Sequence, residues 1–465
     1  MAHSGFYETI IKYRVNAVCL SPLHIGNAEG DGTEVLIHPA DQRPFIQASS
    51  IAGVLRDYYS RYFDPDRTEQ LFGGRKSDEF STLSDYSGRI RISDGIFTSA
   101  AEIETRPRVA INRDWGSSSS SRVKGSERKS GHKFEMECIG AGAEFSFDIY
   151  LYDASFESDL EKVLSALNAS ALQFGGQKSN GCGYIRIESL LKMRFSMKDR
   201  SDAVHDAGNG SFYDWLNESE LPDTRYASIL NKLERNEDGI AYRITLHGRT
   251  EEGILIKSIY VKDETKDAPD ADNIRNAKGE YIIPGSSIKG ALRSQMEKIA
   301  AYRGQEKLID TCFGSVKNDE NAGNPGLLRF ADAVIGDREA NEYAAVQRRI
   351  HIDKLTGGVM HSALFSEKSA FGDIDLQIQV RDGDGATAAA GLTLLALRDL
   401  SAGMINLGSG YSIGKGFIKQ PVIEVCRVSD GAKAKIILET KDAGGQGSIT
   451  DPGEIVAECL KGIRG

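Results

Sequence analysis

The chain has 465 residues, 40% apolar and 27% charged, with a formal net charge of -10, the composition of an ordinary globular protein of two or three domains. No apolar run approaches the ~20 residues of a membrane helix, and MAHSGFYETIIKYRV lacks the basic and apolar regions of a signal peptide. The six cysteines lie far apart without a CxxC pair, which argues against a zinc site or a secreted disulfide framework and points to the cytoplasm.

In chain order, a strand is predicted from Tyr13 (YRVNAVCL), followed by the acidic loop GNAEGDGTEVLIHPADQR. Residues 44–63, PFIQASSIAGVLRDYYSRYF, read as a short extended stretch, a Ser-Ser pair suited to capping, and a helix. Ile51, Leu55, Tyr58, Tyr59 and Tyr62 recur there at helical spacing and mark a core face. Next come LFGG at 71–74 and a strand from Arg89 (RIRISDGIF). Residues 105–134 then carry eight basic side chains against only Asp114 and Glu127, a local charge opposite to that of the whole chain. An alternating strand from Ala143, a helical segment and the glycine-rich FGGQKSNGCGYIRI from Phe174 complete this set.

The stretch SDAVHDAGNGSFYDWLNESELPDTRY is polar, and 196–238 reads as a linker with one helical turn near Tyr213–Leu216. After it the same landmarks return in the same order. They are YRITLHG from Tyr242, PGSSIKGALR at 284–293, CFGS at 312–315, LLRFADAVI from Leu327, RRIHIDKLTGG from Arg348, GDIDLQIQV from Gly372 and LGSGYSIGKGFI from Leu407. In the second helix Ile288, Ala291, Leu292, Met296 and Ile299 form the apolar face. A repeated β-α-β-β-α-β order predicts an α+β protein of two tandem ferredoxin-like (RRM-like) domains, at 1–195 and 239–465.

PGSSIKGALR, the basic RRIHIDKLTGGVMHSALFSE at 348–367 and the paired glycine loops resemble the RAMP superfamily. The resemblance is to the backbone subunits of type III CRISPR effector complexes, in a tandem fusion similar to that of the type III-D lineage. It implies that each palm carries a protruding β-hairpin thumb, that the chain binds CRISPR RNA and complementary target RNA alongside other effector subunits, and that no membrane is involved. It further implies that each thumb displaces a nucleotide and that loop aspartates cut target RNA beside it, with Mg2+ or another divalent cation. The first copy departs from the pattern: QASSIAG has no lysine equivalent to Lys289.

A guide holder needs phosphate and sugar contacts, not base readout. Ser49, Ser50, Ser286, Ser287 and Lys289, with Arg293, stand at helix starts, where N–H groups and the helix dipole favour an anion. Lys178 and Lys415 lie in glycine loops that allow close backbone approach. Arg108, Arg113, Trp115 and Lys124 in the first thumb, and Arg349 and Lys354 in the second, combine charge with bulk. Asp31 in the first acidic loop, and Asp270 and Asp267 in the second, are the candidate cleavage carboxylates. A non-catalytic backbone subunit is the alternative reading, and a CRISPR RNA-processing endonuclease a further one.

Overall fold

The structure is a computed structural model that describes residues 8–26, 32–74, 88–98, 101–109, 133–201, 205–258, 269–315, 323–344, 346–360, 364–438 and 447–463. The chain divides into two compact units. The first comprises 1–103, 138–176 and 182–238; the second comprises 104–137, 177–181 and 239–465. The hairpin and glycine-loop tip of the first sequence repeat therefore belong to the second unit.

In the first unit β1 (Thr9–Cys19) alternates, so Ile11, Tyr13, Val15 and Ala17 point to the core while Lys12 and Arg14 face the other way. Helix α1 (Ala48–Tyr62) buries Ile51, Leu55, Tyr58 and Tyr59. Strands β2 (Ile90–Ile92), β3 (Gly95–Phe97) and β4 (Glu144–Leu151) follow, then helix α2 (Glu157–Asn168) and strand β5 (Ile185–Ser196). Across the sheet the order is β5, β1, β4, then β2 and β3 together, with antiparallel pairing throughout this palm. Numbered by role, this is the 4-1-3-2 order of a β-α-β-β-α-β ferredoxin-like palm.

The second unit repeats the arrangement. Strand β6 (Ile240–Ile254) lies between β8 (Ala370–Arg381) and β9 (Lys419–Arg427), and β7 (Leu328–Phe330) pairs with β8. Helices α3 (Gly285–Arg303) and α4 (Ala386–Ser401) cover one face. On α3, Ile288, Leu292 and Met296 are buried, and Ala291 and Ile299 pack at the margin of the core. Strands Lys433–Ile437 and Ser448–Thr450 extend the sheet beyond β9.

Two strand pairs stand off the palms. Ile103–Val109 pairs with Lys133–Ile139. Gln347–Arg349 pairs with Phe365–Lys368, which also pairs in parallel with Ala271–Asp272. These are the bases of the two hairpins expected from the repeat. Residues 209–233, inside the stretch read as a linker, carry regular structure and belong to the first unit. A polar composition suggested a linker, but Trp215 and Tyr226 in this stretch pack with Met193 and Phe195.

Candidate nucleic-acid interface

The two helix starts were expected to be capped by their serines, and they are not. Ala48 and Gly285 are the first helical residues, so the serines occupy the second and third positions, and neither helix has a side-chain cap. A carboxylate does the work instead: Asp94 accepts from the Ala48 N–H at 2.7 Å, and Asp332 from the Gly285 N–H at 2.8 Å. The serine hydroxyls are consequently not needed as caps. Ser49 is exposed; Ser50, Ser286 and Ser287 are half-buried. At the start of α1 a concavity of about 360 Å3 is lined by His38, Phe45, Gln47, Ser49 and Asp94 among others. Sequence reasoning missed Asp94 and Asp332, although both occupy matching places in RISDGIF and RFADAVI.

Basic residues near α3 are heavily engaged. Lys289 donates to the Ser179 hydroxyl at 2.8 Å. Arg293 pairs with Glu297 at 2.9 Å and lies over the Phe313 ring. Arg106, counted in the basic run, is buried: it pairs with Glu104 and, at 2.6 Å, with the Asp332 carboxylate that receives the helix N–H. Burial raises the Glu104 carboxyl above its ordinary range, an effect the Arg106 charge only partly offsets. Arg108 is half-buried on the same strand. The run is therefore partly structural, and its charge overstates what a phosphate would meet.

The glycine loops close onto their own unit. At Gly175, with φ +68°, a Cβ would lie 2.2 Å from the His24 carbonyl oxygen. At Gly408 it would lie 2.6 Å from that of Leu255. Neighbouring amides repeat the contact, with Gly176 N–H to His24 and Ser409 N–H to Leu255. These glycines permit packing, not approach by a ligand. Gly414 differs, since nothing lies within 4 Å of its missing Cβ. Lys415 is a correction to the sequence reading: it is buried, donating to Ser369 at 2.7 Å and Glu367 at 3.0 Å. A lysine so enclosed does not face a phosphate. Lys178 is half-buried in the short turn Lys178–Asn180.

The second hairpin has a different character. Leu355 is 96% exposed and Leu364 63%, with Ile350, Ile352, Val359 and Met360 also exposed. Lys354 is exposed beside them, while Arg349 pairs with Glu367 at 2.9 Å near the base. Aliphatic groups fringed by cations suit a surface that meets stacked bases beside phosphates. Asp270 lies at this base, exposed, and its Oδ2 accepts from the Ser366 N–H at 2.7 Å and hydroxyl at 2.8 Å. Its neighbour Asp272 meets Arg275 at 3.2 Å.

The pattern of the RAMP superfamily matches residues 16–186 and 246–419, one match on each palm. The chain belongs to the RAMP superfamily. No curated protein matches. Among solved structures, the chain is similar to one described as the Type III-B Cmr-beta bound to cognate target RNA, at 16% identity and a TM-score of 0.31. The match covers 40% of this chain and 61% of that one.

Of the residues expected to serve a RAMP protein's RNA chemistry, Asp31, Asp267, Arg113, Trp115 and Lys124 lie outside the described residues. Among the described residues no group of three or more His, Cys, Asp or Glu is placed to hold a metal ion. Asp270 also spends one oxygen on Ser366. Of the three carboxylates expected to serve cleavage with a divalent cation, Asp270 is among the described residues and Asp31 and Asp267 are not. No helix among the described residues is long and apolar enough to cross a membrane.

Proposed function

We propose that this RAMP protein is a CRISPR RNA-binding backbone subunit of a type III effector complex, positioning guide and target RNA with its two palms and hairpins. The observation that carries the reading is the coincidence of two RAMP matches with two palms, each repeat carrying in the same order of landmarks a strand pair outside its palm sheet. The exposed aliphatic side chains of the second hairpin, with Lys354 among them, support its use as a wedge. Ser286, Ser287, Lys289 and Arg293 line the start of α3, where partial exposure leaves room for a sugar-phosphate contact.

The finer reading adds cleavage of target RNA. Asp270 at the hairpin base would accept the ribose 2′-OH proton as that oxygen attacks phosphorus and the 5′-oxygen leaves, giving a 2′,3′-cyclic phosphate. Asp31 would serve the corresponding loop of the first repeat. A non-catalytic backbone is the second reading, favoured by the bracket between Asp270 and Ser366.

The test is to co-express the chain with a guide array and its complex, purify it, and map cuts in complementary RNA with and without magnesium. Guide that co-purifies, and cuts at fixed spacing that vanish in Asp31→Ala or Asp270→Ala, are the expected results. A complex that forms without this chain touching guide RNA overturns the assignment. Guide retention with no cut in target selects the non-catalytic reading.

A further inference from the structure

The outer face of the first sheet, away from α1 and α2, has the makings of a platform for single-stranded nucleic acid, and the chain covers it itself. Strand register sets Arg91, Tyr150, Lys12 and Met193 in one row across β2, β4, β1 and β5. The Arg91 guanidinium lies 4.1 Å from the Tyr150 ring centroid, and the Lys12 ammonium 5.1 Å. Phe195, two residues beyond Met193 on β5, shares this face, and Arg14 follows Lys12 on β1. Aromatic rings set among cations on a sheet face are what stacks bases and holds the phosphates between them.

Residues 209–228 lie over this row. Asn209–Gly210 and Ala227–Ser228 both pair with β5. Between these ends Trp215 sits edge-on to Tyr150 at 5.8 Å and to Phe195 at 5.4 Å. Glu218 accepts from the Tyr150 hydroxyl at 2.9 Å and pairs with Lys12. Asp223 pairs with Arg14 at 2.5 Å, and Arg14 lies over the Tyr226 ring. The segment carries Asp214, Glu218, Glu220 and Asp223 against a single Arg225. An aromatic ring thus stands where a base would stack, and carboxylates stand where phosphates would sit. The fold does not demand this arrangement. Counting in the second unit from Tyr242 as from Tyr13 in the first, the counterparts of Lys12 and Tyr150 are Ala241 and Arg381, so an alanine and an arginine stand where the first palm has its lysine and its tyrosine.

We propose that residues 209–228 act as an intramolecular nucleic-acid mimic, closing a single-stranded RNA-binding face of the first palm through Trp215, Glu218 and Asp223. The inference is independent of guide binding at α3. In its closed form this face is withheld from RNA; lifted, it stacks bases on Tyr150 and Phe195 and holds phosphates with Lys12, Arg14 and Arg91.

The test uses the full chain and a fluorescent single-stranded oligouridine RNA. Trp215→Ala is the direct variant. Glu218→Gln with Asp223→Asn is the second, since it loosens the same latch without removing a packed ring. Hydrogen exchange over residues 209–228 reports opening, and ultraviolet cross-linking reports the RNA's position. The expected result is faster exchange, about tenfold tighter RNA binding, and a cross-link at Tyr150, with the gain lost when Arg91→Ala and Tyr150→Ala are added. Faster exchange without tighter binding overturns the proposal, as does a gain that survives the added substitutions. Unchanged exchange in both variants overturns it too, because those contacts are then not the latch. A cross-link confined to Lys289 would report the guide site and would count against this face alone.

Discussion

Lys415 donates to Glu367 at 3.0 Å, and both side chains are buried. The glycine loop before β9 is thereby fastened to the base of the second hairpin, where Arg349 reaches the same carboxylate. Removing one member of a buried pair leaves the other charge without its counterpart, at a cost of about 3 kcal/mol. Lys415→Met should therefore lower the urea midpoint of the second unit clearly. Lys415→Met combined with Glu367→Gln should recover part of the loss, a coupling read by a double-mutant cycle. Equal, additive losses would show that the pair carries no joint stability.

Asp332 accepts from a helix amide and pairs with Arg106, whereas its counterpart Asp94 accepts from a helix amide, so the same substitution should have unequal effects. Asp94→Ala removes an N-terminal acceptor, worth about 1 kcal/mol. Asp332→Ala removes the same helix contact and also takes from buried Arg106 a carboxylate partner at 2.6 Å, for a total of about 3 kcal/mol. Adding Arg106→Met to Asp332→Ala should restore stability in part. Thermal melts of the four proteins check the order.

At the hairpin base, Asp270→Ala and Ser366→Ala separate chemistry from architecture. Both break the bracket, but only the first removes the carboxylate. If Asp270 accepts the 2′-OH proton, Asp270→Ala should slow one target cut about 10²–10⁴-fold, while Ser366→Ala keeps that cut within a few-fold of the parent. Equal loss in both variants, measured by product bands from guide-loaded complex, would assign Asp270 to holding the hairpin.

Glu157 gives the first unit a defined sensitivity to acid. It starts α2 and pairs with Lys192 at 2.8 Å and with Arg194 on β5. Partial burial works to raise its pKa, but the two cations outweigh that and hold the carboxyl below its usual range. A carboxylate depressed by folding stabilises above its unfolded value of about 4.3, and the contribution fades as pH falls through the lower folded value. Melting temperatures of the parent and Glu157→Gln should differ most near neutral pH, and the gap should narrow as pH falls below the unfolded value of about 4.3. A gap that widens on acidification would contradict the sign.

Local pattern determined much of this protein. The alternation of Ile11, Tyr13 and Val15, and the helical spacing of Ile51, Leu55 and Tyr59, are set by periods of two and 3.6 residues that any reader of the chain can count. Repetition of those periods in one order was enough to predict two tandem palms. Contacts across long sequence distances have no such period. That Lys415 meets Glu367, that Asp332 rather than a serine takes the start of α3, and that Trp215 folds back over Tyr150 depended on how strands register and helices cross. A lysine in a glycine loop reads as a phosphate ligand until packing encloses it with a carboxylate. A polar stretch reads as a linker until its few apolar and acidic groups find a face that matches them. Composition records what a segment offers; only the tertiary structure decided which surface accepted it, because burial and charge pairing depend on neighbours far away in the chain.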